Sequence, residues 1–557
     1  MRTTIFFLLL LLTGVLPAQV APGKYFIEFT DKNGTPYSID HPEQFLSQRA
    51  IDRRNRQGIA VTEEDLPVNP DYVSAIAGTG MQVFTRSKWF NGITVECLDS
   101  TLLDTLSTFP FVKKVVKNRQ IMRESLPLPD DKFALPFRSA EPLPGRIPEN
   151  PSGPEAFDYG PSYNQIHMIH GDHLHDLGFR GKGMVIAVLD AGFFNADVLP
   201  AFDSLRANGR ILGTRDFVNP GNNVYLEYWH GTAVLSVMGA VFPGQLIGTA
   251  PEASYWLLRS EKYEYEYLIE EYNWVAAAEF ADSAGADLIN SSLGYTQFDD
   301  PSQDHTCDDL RGNAAPSTRG ANIAAGKGMV VVTSAGNSGE KPMKCVGAPA
   351  DGYRVMGIAA VDSAGNYATF SSHGFINDTM VKPNVAAQGR RTVAAASDGS
   401  FIQTSGTSLS APVITGAAAC LWQTNPQSGW NRVIGVIEES ASQYNNPDTL
   451  MGYGIPDFAA AMNLLSAGAR PASLTRAFPN PFTSEICIEF FSATSGNATV
   501  TFYDLPGQVV LRKNIPVRVG ENAVHLTGLG YLRTGFYIVT LVSSTDHICL
   551  QLLKVSN

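Results

Sequence analysis

The chain is poor in charge and in cysteine, and it has no long apolar run. Charged residues make up 17% of its 557 positions against 44% apolar ones, which excludes a disordered or coiled-coil chain. Forty-one Lys and Arg stand against fifty-four Asp and Glu, a net charge of −13, so the chain is not built around nucleic acid. Six cysteines are too few for a disulfide framework at this length. No stretch reaches the roughly 18 apolar residues that a membrane-spanning helix needs. Tandem repeats and low-complexity tracts are absent. What is present is length, and at about 150 residues per domain it calls for three or four folded units.

The longest apolar stretch, residues 5–12, follows Arg2 and ends near the small residue Ala18, the pattern of a secretory signal over residues 1–18. Pro17, Pro22 and Gly23 stop any helix there. Export leads to an oxidising compartment, where cysteines pair. Residues 19–122 then read as a small α+β unit. Residues 25–29 alternate like a half-buried strand, a helix opens at Pro42 and runs into Arg49, Arg53, Arg54 and Arg56, and residues 93–97 and 112–116 are further strands. Nine prolines over residues 123–165 make an extended linker, because proline fixes φ and removes a donor.

Residues 166–467 alternate apolar runs (184–189, 255–258, 287–289, 329–332, 356–360) with helical stretches, as in an α/β domain whose parallel sheet is covered on both faces. Residues 468–557 hold six short strands separated by turn signals, an all-β sandwich.

Three segments of the α/β region carry chemistry. Asp190 ends a strand, His230 opens a helix rich in small residues, and Ser408 opens another in Gly406-Thr407-Ser408-Leu409-Ser410-Ala411-Pro412, with Pro412 expected in its first turn. A serine hydroxyl becomes a useful nucleophile when an imidazole takes its proton and a buried carboxylate holds that imidazole in one tautomer. The developing oxyanion needs fixed donors, which the Ser408 amide and the side-chain amide of Asn337, in Ser334-Ala335-Gly336-Asn337-Ser338-Gly339, are placed to supply.

These residues resemble the subtilisin-like serine peptidases, the subtilases, over about residues 166–465. The resemblance implies a subtilisin-like parallel sheet, Asp190, His230 and Ser408 as the triad, and Asn337 as the oxyanion donor. It also implies that Ser292, Leu293 and Gly294 pair with the substrate backbone and line the primary pocket. Ala191 stands where the family more often has Thr or Ser. The chemistry requires no cofactor. The acidic insertion 298–312, with Asp299, Asp300, Asp304, Asp308 and Asp309, reads equally as a structural calcium loop or a solvated one. Its Cys307 is a candidate to bridge Cys345, a pairing that sequence alone leaves open.

The unit at 19–122 resembles the pro-regions of secreted bacterial subtilases through Lys32, Pro42, Phe45-Leu46-Ser47, Asp65-Leu66-Pro67 and Ser87-Lys88-Trp89. The C-terminal sandwich resembles the sorting domain of type IX export through Phe478-Pro479-Asn480-Pro481-Phe482, Asp504, Gly507-Gln508-Val509-Val510, Leu529, Gly535-Phe536-Tyr537 and Lys554. The expected protein is a secreted or cell-surface endopeptidase made as a precursor. Its partners would be peptide substrates, its own pro-domain and the outer-membrane secretion machinery. The alternative is a catalytically silent, surface-anchored adhesive protein on the same scaffold.

Overall fold

Alternation along residues 24–29 buries Tyr25, Ile27 and Phe29 in the core of the N-terminal unit. This computed structural model describes residues 23–99, 101–106, 108–116, 157–377, 380–466, 476–492, 496–518, 520–542 and 547–556. Four antiparallel strands, β1 (Lys24–Phe29), β2 (Gln82–Ser87), β3 (Gly92–Glu96) and β4 (Val112–Val115), form a sheet in the order β2-β3-β1-β4. The half-buried reading of β1 is corrected, because its other face is covered too. Phe26 stacks on Tyr272 of the next domain with ring centroids 4.2 Å apart.

The helix expected to open at Pro42 starts later. Pro42–Gln44 is a separate 3-10 turn, and helix α1 spans Gln48–Gln57. The Ser47 side chain accepts a hydrogen bond from Ala50 N–H at its start, and Gly58 stops it with a left-handed φ of 68°. Two of the four arginines of α1 do not face water. Arg53 and Arg54 are buried, and both reach Asp282 across the domain boundary, at 2.6 and 2.9 Å.

The five apolar runs of the middle region pair within a sheet of seven parallel strands. The strands are β5 (Val185–Asp190), β6 (Ile211–Asp216), β7 (Ser254–Arg259), β8 (Leu288–Ser291), β9 (Val330–Ser334), β10 (Met356–Val361) and β11 (Val385–Gln388), in the order β11-β10-β9-β8-β5-β7-β6. β5, β8, β9 and β10 are buried along their whole lengths, which is why they read as uninterrupted apolar runs. Helices α2 (His230–Gly239) and α5 (Thr407–Thr424) pack together against the sheet, while α3 (Ile269–Ala284) pairs with α4 (Pro316–Gly326) and carries the N-terminal unit. The α/β expectation therefore holds.

Residues 160–165, expected as the end of the linker, already belong to this domain. A 3-10 turn at Gly160–Ser162 runs into a helix at Tyr163–His167, Tyr159 and Ile166 are fully buried, and the Ser162 hydroxyl accepts from Ile247 N–H at 3.2 Å. The signal 1–18 and most of the proline-rich stretch lie outside the described residues. The C-terminal unit is antiparallel, with strands Arg476–Phe478, Ile486–Ser492 and Gly520–Leu526 in one sheet. Val509–Val517, Gly496–Tyr503, Gly535–Val542 and His547–Lys554 form the other. Phe482, Ile488, Val500, Phe502 and Val539 fill its separate core.

Candidate active site

Asp190 is the last residue of β5 and is fully buried. Its Oδ1 accepts from the Ala191 amide at 2.8 Å and from His230 Nδ1 at 2.7 Å. His230 is the first residue of α2, so one strand end and one helix start must nearly touch. Gly231 permits that approach. A Cβ there would lie 2.4 Å from the Gly192 carbonyl oxygen and 2.9 Å from Asp190 Cβ. With Nδ1 bound to the carboxylate, the neutral imidazole presents Nε2 as its proton acceptor.

Ser408 is the second residue of α5 and is 6% exposed. It opens with His230, Asn337, Ser292, Leu293 and Gly294 onto one cleft of about 340 Å³. The expected position of Pro412 needs correction, since it is the sixth residue of α5 and lies beyond the first turn. A proline there cannot donate to the carbonyl four residues earlier, which belongs to Ser408. The Ser292 hydroxyl takes that place, donating to the Ser408 carbonyl at 2.8 Å. Ser292 in turn accepts from Asn290 Nδ2 at 3.2 Å, and Asn290 Oδ1 accepts from Thr415 of α5 at 2.8 Å. The segment after β8 is thus fastened to the nucleophile's own helix.

Asn337 follows β9 in a turn where Gly336 adopts a left-handed φ of 101°. Its Oδ1 accepts from both the backbone N–H and the hydroxyl of Thr407, each at 3.0 Å. The Thr407 oxygen also accepts from Gly336 N–H at 3.1 Å. These bonds fix which way the amide faces and leave Asn337 Nδ2 as its donor. Ser408 lies in the first turn of its helix, where amides have no intrahelical acceptor. Sequence reasoning missed the part played by Thr407, although its position between Gly406 and Ser408 was visible. It also missed Glu261 and Glu266 on the cleft wall.

In the acidic insertion Asp299 accepts from Glu266 N–H, Asp300 from Ser302 N–H, Asp304 from Phe298 N–H and Asp309 from Thr306 N–H. Among the described residues, the carboxylates whose oxygens converge are those of Glu261, Glu266 and Glu270, which lie outside the insertion. The Cys307–Cys345 bridge is formed, with Cα atoms 5.9 Å apart.

Residues 181–454 match the profile of the subtilase family. The chain holds a subtilase domain. Residues 24–130 match the peptidase S8 propeptide domain of Bacteroidota, and residues 476–554 match a secretion system C-terminal sorting domain. This subtilase is 28% identical to subtilisin E of Bacillus subtilis (strain 168) over 288 residues, 50% of this chain and 66% of that protein. It is also 28% identical to a subtilisin of Bacillus pumilus over 304 residues, 53% of this chain and 97% of that one. Among solved structures, the prenylagaramide maturation protease PagA aligns with 20% identity and a TM-score of 0.42 over 53% of this chain and 98% of that one. Among the described residues, no helix is long and apolar enough to cross a membrane.

Proposed function

We propose that this subtilase is a serine endopeptidase that acts through Asp190, His230 and Ser408. The observation that carries the reading is the 2.7 Å Asp190–His230 bond, on the same cleft as Ser408 and an Asn337 amide oriented by Thr407. Ser408 Oγ attacks the substrate carbonyl carbon while its proton passes to His230 Nε2, and Asp190 stabilises the imidazolium. Asn337 Nδ2 and the Ser408 amide donate to the oxyanion. As the C–N bond breaks, His230 returns the proton to the leaving amine, and an acyl ester remains on Ser408. A water molecule, deprotonated by the same imidazole, then hydrolyses that ester. Serine, imidazole, carboxylate and amide supply every group these steps use, so the reaction calls on no cofactor. Ser292, Leu293 and Gly294 line the cleft and would pair with the substrate backbone.

The flanking units support a precursor. The N-terminal unit would inhibit the domain it covers until the chain is cut within residues 120–165, and a second cut would fall near residues 465–478. The sandwich would be read by the outer-membrane secretion machinery, giving a secreted or cell-surface product after entry through the signal at 1–18. Peptide hydrolysis by the purified secreted protein tests the reading. Wild-type enzyme should cleave and a folded Ser408→Ala variant should not, whereas equal inertness of both would favour the silent adhesive scaffold.

A further inference from the structure

The cleft that holds Ser408 and His230 has an acidic wall. Glu261 and Glu266 line it, and both are largely buried within the protein. Glu261 is held by Tyr295, whose hydroxyl donates to its Oε2 at 2.7 Å, and Tyr295 directly follows the Gly294 that lines the same cleft. The backbone of Glu266 is fastened to the insertion, Asp299 N–H donating to its carbonyl at 2.8 Å. Side-chain oxygens of Glu261, Glu266 and Glu270 fall within 4.8 Å of one another. Glu270 accepts from Lys262 N–H and Tyr267 N–H. Burial first, and then the charges of Glu261 and Glu270, push the Tyr295 phenol well above its ordinary range. Among the described residues lining the cleft the permanent cation is Lys341, which is exposed to solvent.

We propose that Glu261 and Glu266 are specificity-determining residues that bind a lysine or arginine side chain of the peptide substrate. A guanidinium or ammonium group fits between two carboxylates at this spacing and gains charge-assisted hydrogen bonds to both. The low exposure of the wall limits screening by salt, so the attraction discriminates between peptides more strongly than a surface pair would. An acidic side chain at the same place meets repulsion, which is the other half of selectivity. The proposal rests on the peptidase reading and adds to it the class of substrate.

The test uses the purified secreted enzyme and pairs of quenched peptides that differ only in Lys against Gln at successive positions before the cleaved bond. One position should show a preference for Lys of about 10-fold or more in kcat/KM, and Glu261→Gln or Glu266→Gln should each lower that ratio about 10-fold. Both substitutions keep an acceptor and the side-chain shape. Glu264→Gln, which alters a carboxylate paired with Lys262 at 2.9 Å on the same segment, should leave the ratio unchanged. An active enzyme with no Lys preference at any position, or one whose ratio survives both variants, overturns the proposal and leaves the peptidase reading standing. So does a result in which the two variants lose calcium binding, measured with calcium alone, while the ratio is unmoved. A wild-type protein inert to every peptide and to a fluorophosphonate probe overturns both.

Discussion

Thr407 shows how much of this site is set one residue away from the chemistry. Its amide and hydroxyl both donate to Asn337 Oδ1, and its oxygen accepts from Gly336 N–H. Asn337→Ala should lower kcat about 10²- to 10³-fold with little change in KM, because its bond forms mainly to the oxyanion. Loss confined to KM would remove Asn337 from that role. Thr407→Val keeps the volume but deletes the hydroxyl, leaving Asn337 half-held and Gly336 N–H unpaired. That change should cost about 1–3 kcal/mol of transition-state stabilisation, seen in kcat before KM. A Thr407→Val enzyme with unchanged kcat would show that the Thr407 amide alone fixes Asn337. At this scale the sequence was most legible. Asp190, His230, Asn337 and Ser408 announce themselves through residue types at element ends, whereas the duties of Thr407 and Ser292 depend on which groups their hydroxyls meet after folding. Ser292 in particular answers to the missing N–H of Pro412, 120 positions away.

Among the elements, α1 and α3 make the junction that sequence alone did not disclose. The basic run of α1 was plain, but its burial depends on a carboxylate more than 200 positions away. Arg53, Arg54 and Lys88 all converge on Asp282, at 2.6, 2.9 and 3.0 Å. Burial alone would raise the Asp282 carboxyl, yet Lys88, Arg54 and Arg53 outweigh it and hold the group well below its usual range. Asp282→Ala would leave three cations buried without their shared partner, a loss of about 3–5 kcal/mol. Hydrogen exchange of α3 in an otherwise intact Ser408→Ala precursor should rise accordingly. Unchanged protection would mean that apolar contacts such as Phe26 on Tyr272 hold the N-terminal unit by themselves.

Glu279 gives the same junction a pH dependence. Its carboxylate accepts from the Ser87 hydroxyl at 2.6 Å, Lys88 N–H at 2.8 Å and Trp89 N–H at 3.1 Å. Burial pushes it up to about 7 from the ordinary 4.5, against the pull of Lys88 and these bonds. A carboxyl raised by docking takes up a proton when the unit docks. Its contribution to docking is therefore full below about pH 4.5, declines across the window and is lost as pH rises through about 7. Protection of α3 should fall over that range in the precursor and fall less in Glu279→Gln. An equal fall in both would assign the dependence to other groups at the junction. The element pattern was otherwise readable wherever strands are buried on both sides. β6, an edge strand with exposed residues, and the four-residue β11 carry no such run and were missed.

For the whole molecule, composition and motifs gave the order of the units, while the boundary near residue 160 required the tertiary structure. Tyr159, Gly160 and Pro161 read as linker because turn-forming residues look alike whether they are solvated or packed. The precursor account predicts that secreted protein begins within residues 120–165, and N-terminal sequencing decides it. A fully active mature chain starting near Gln19 would make the N-terminal unit a permanent accessory domain. The peptidase chemistry depends on Ser408 being a nucleophile activated by His230. The most direct measurement is intact and peptide mass spectrometry after exposure of the purified protein to a fluorophosphonate. One adduct per active chain, mapped to Ser408, lost in Ser408→Ala and strongly slowed in His230→Ala, is the predicted result. An active wild-type peptidase that takes no label, or takes it on another serine, would contradict the account.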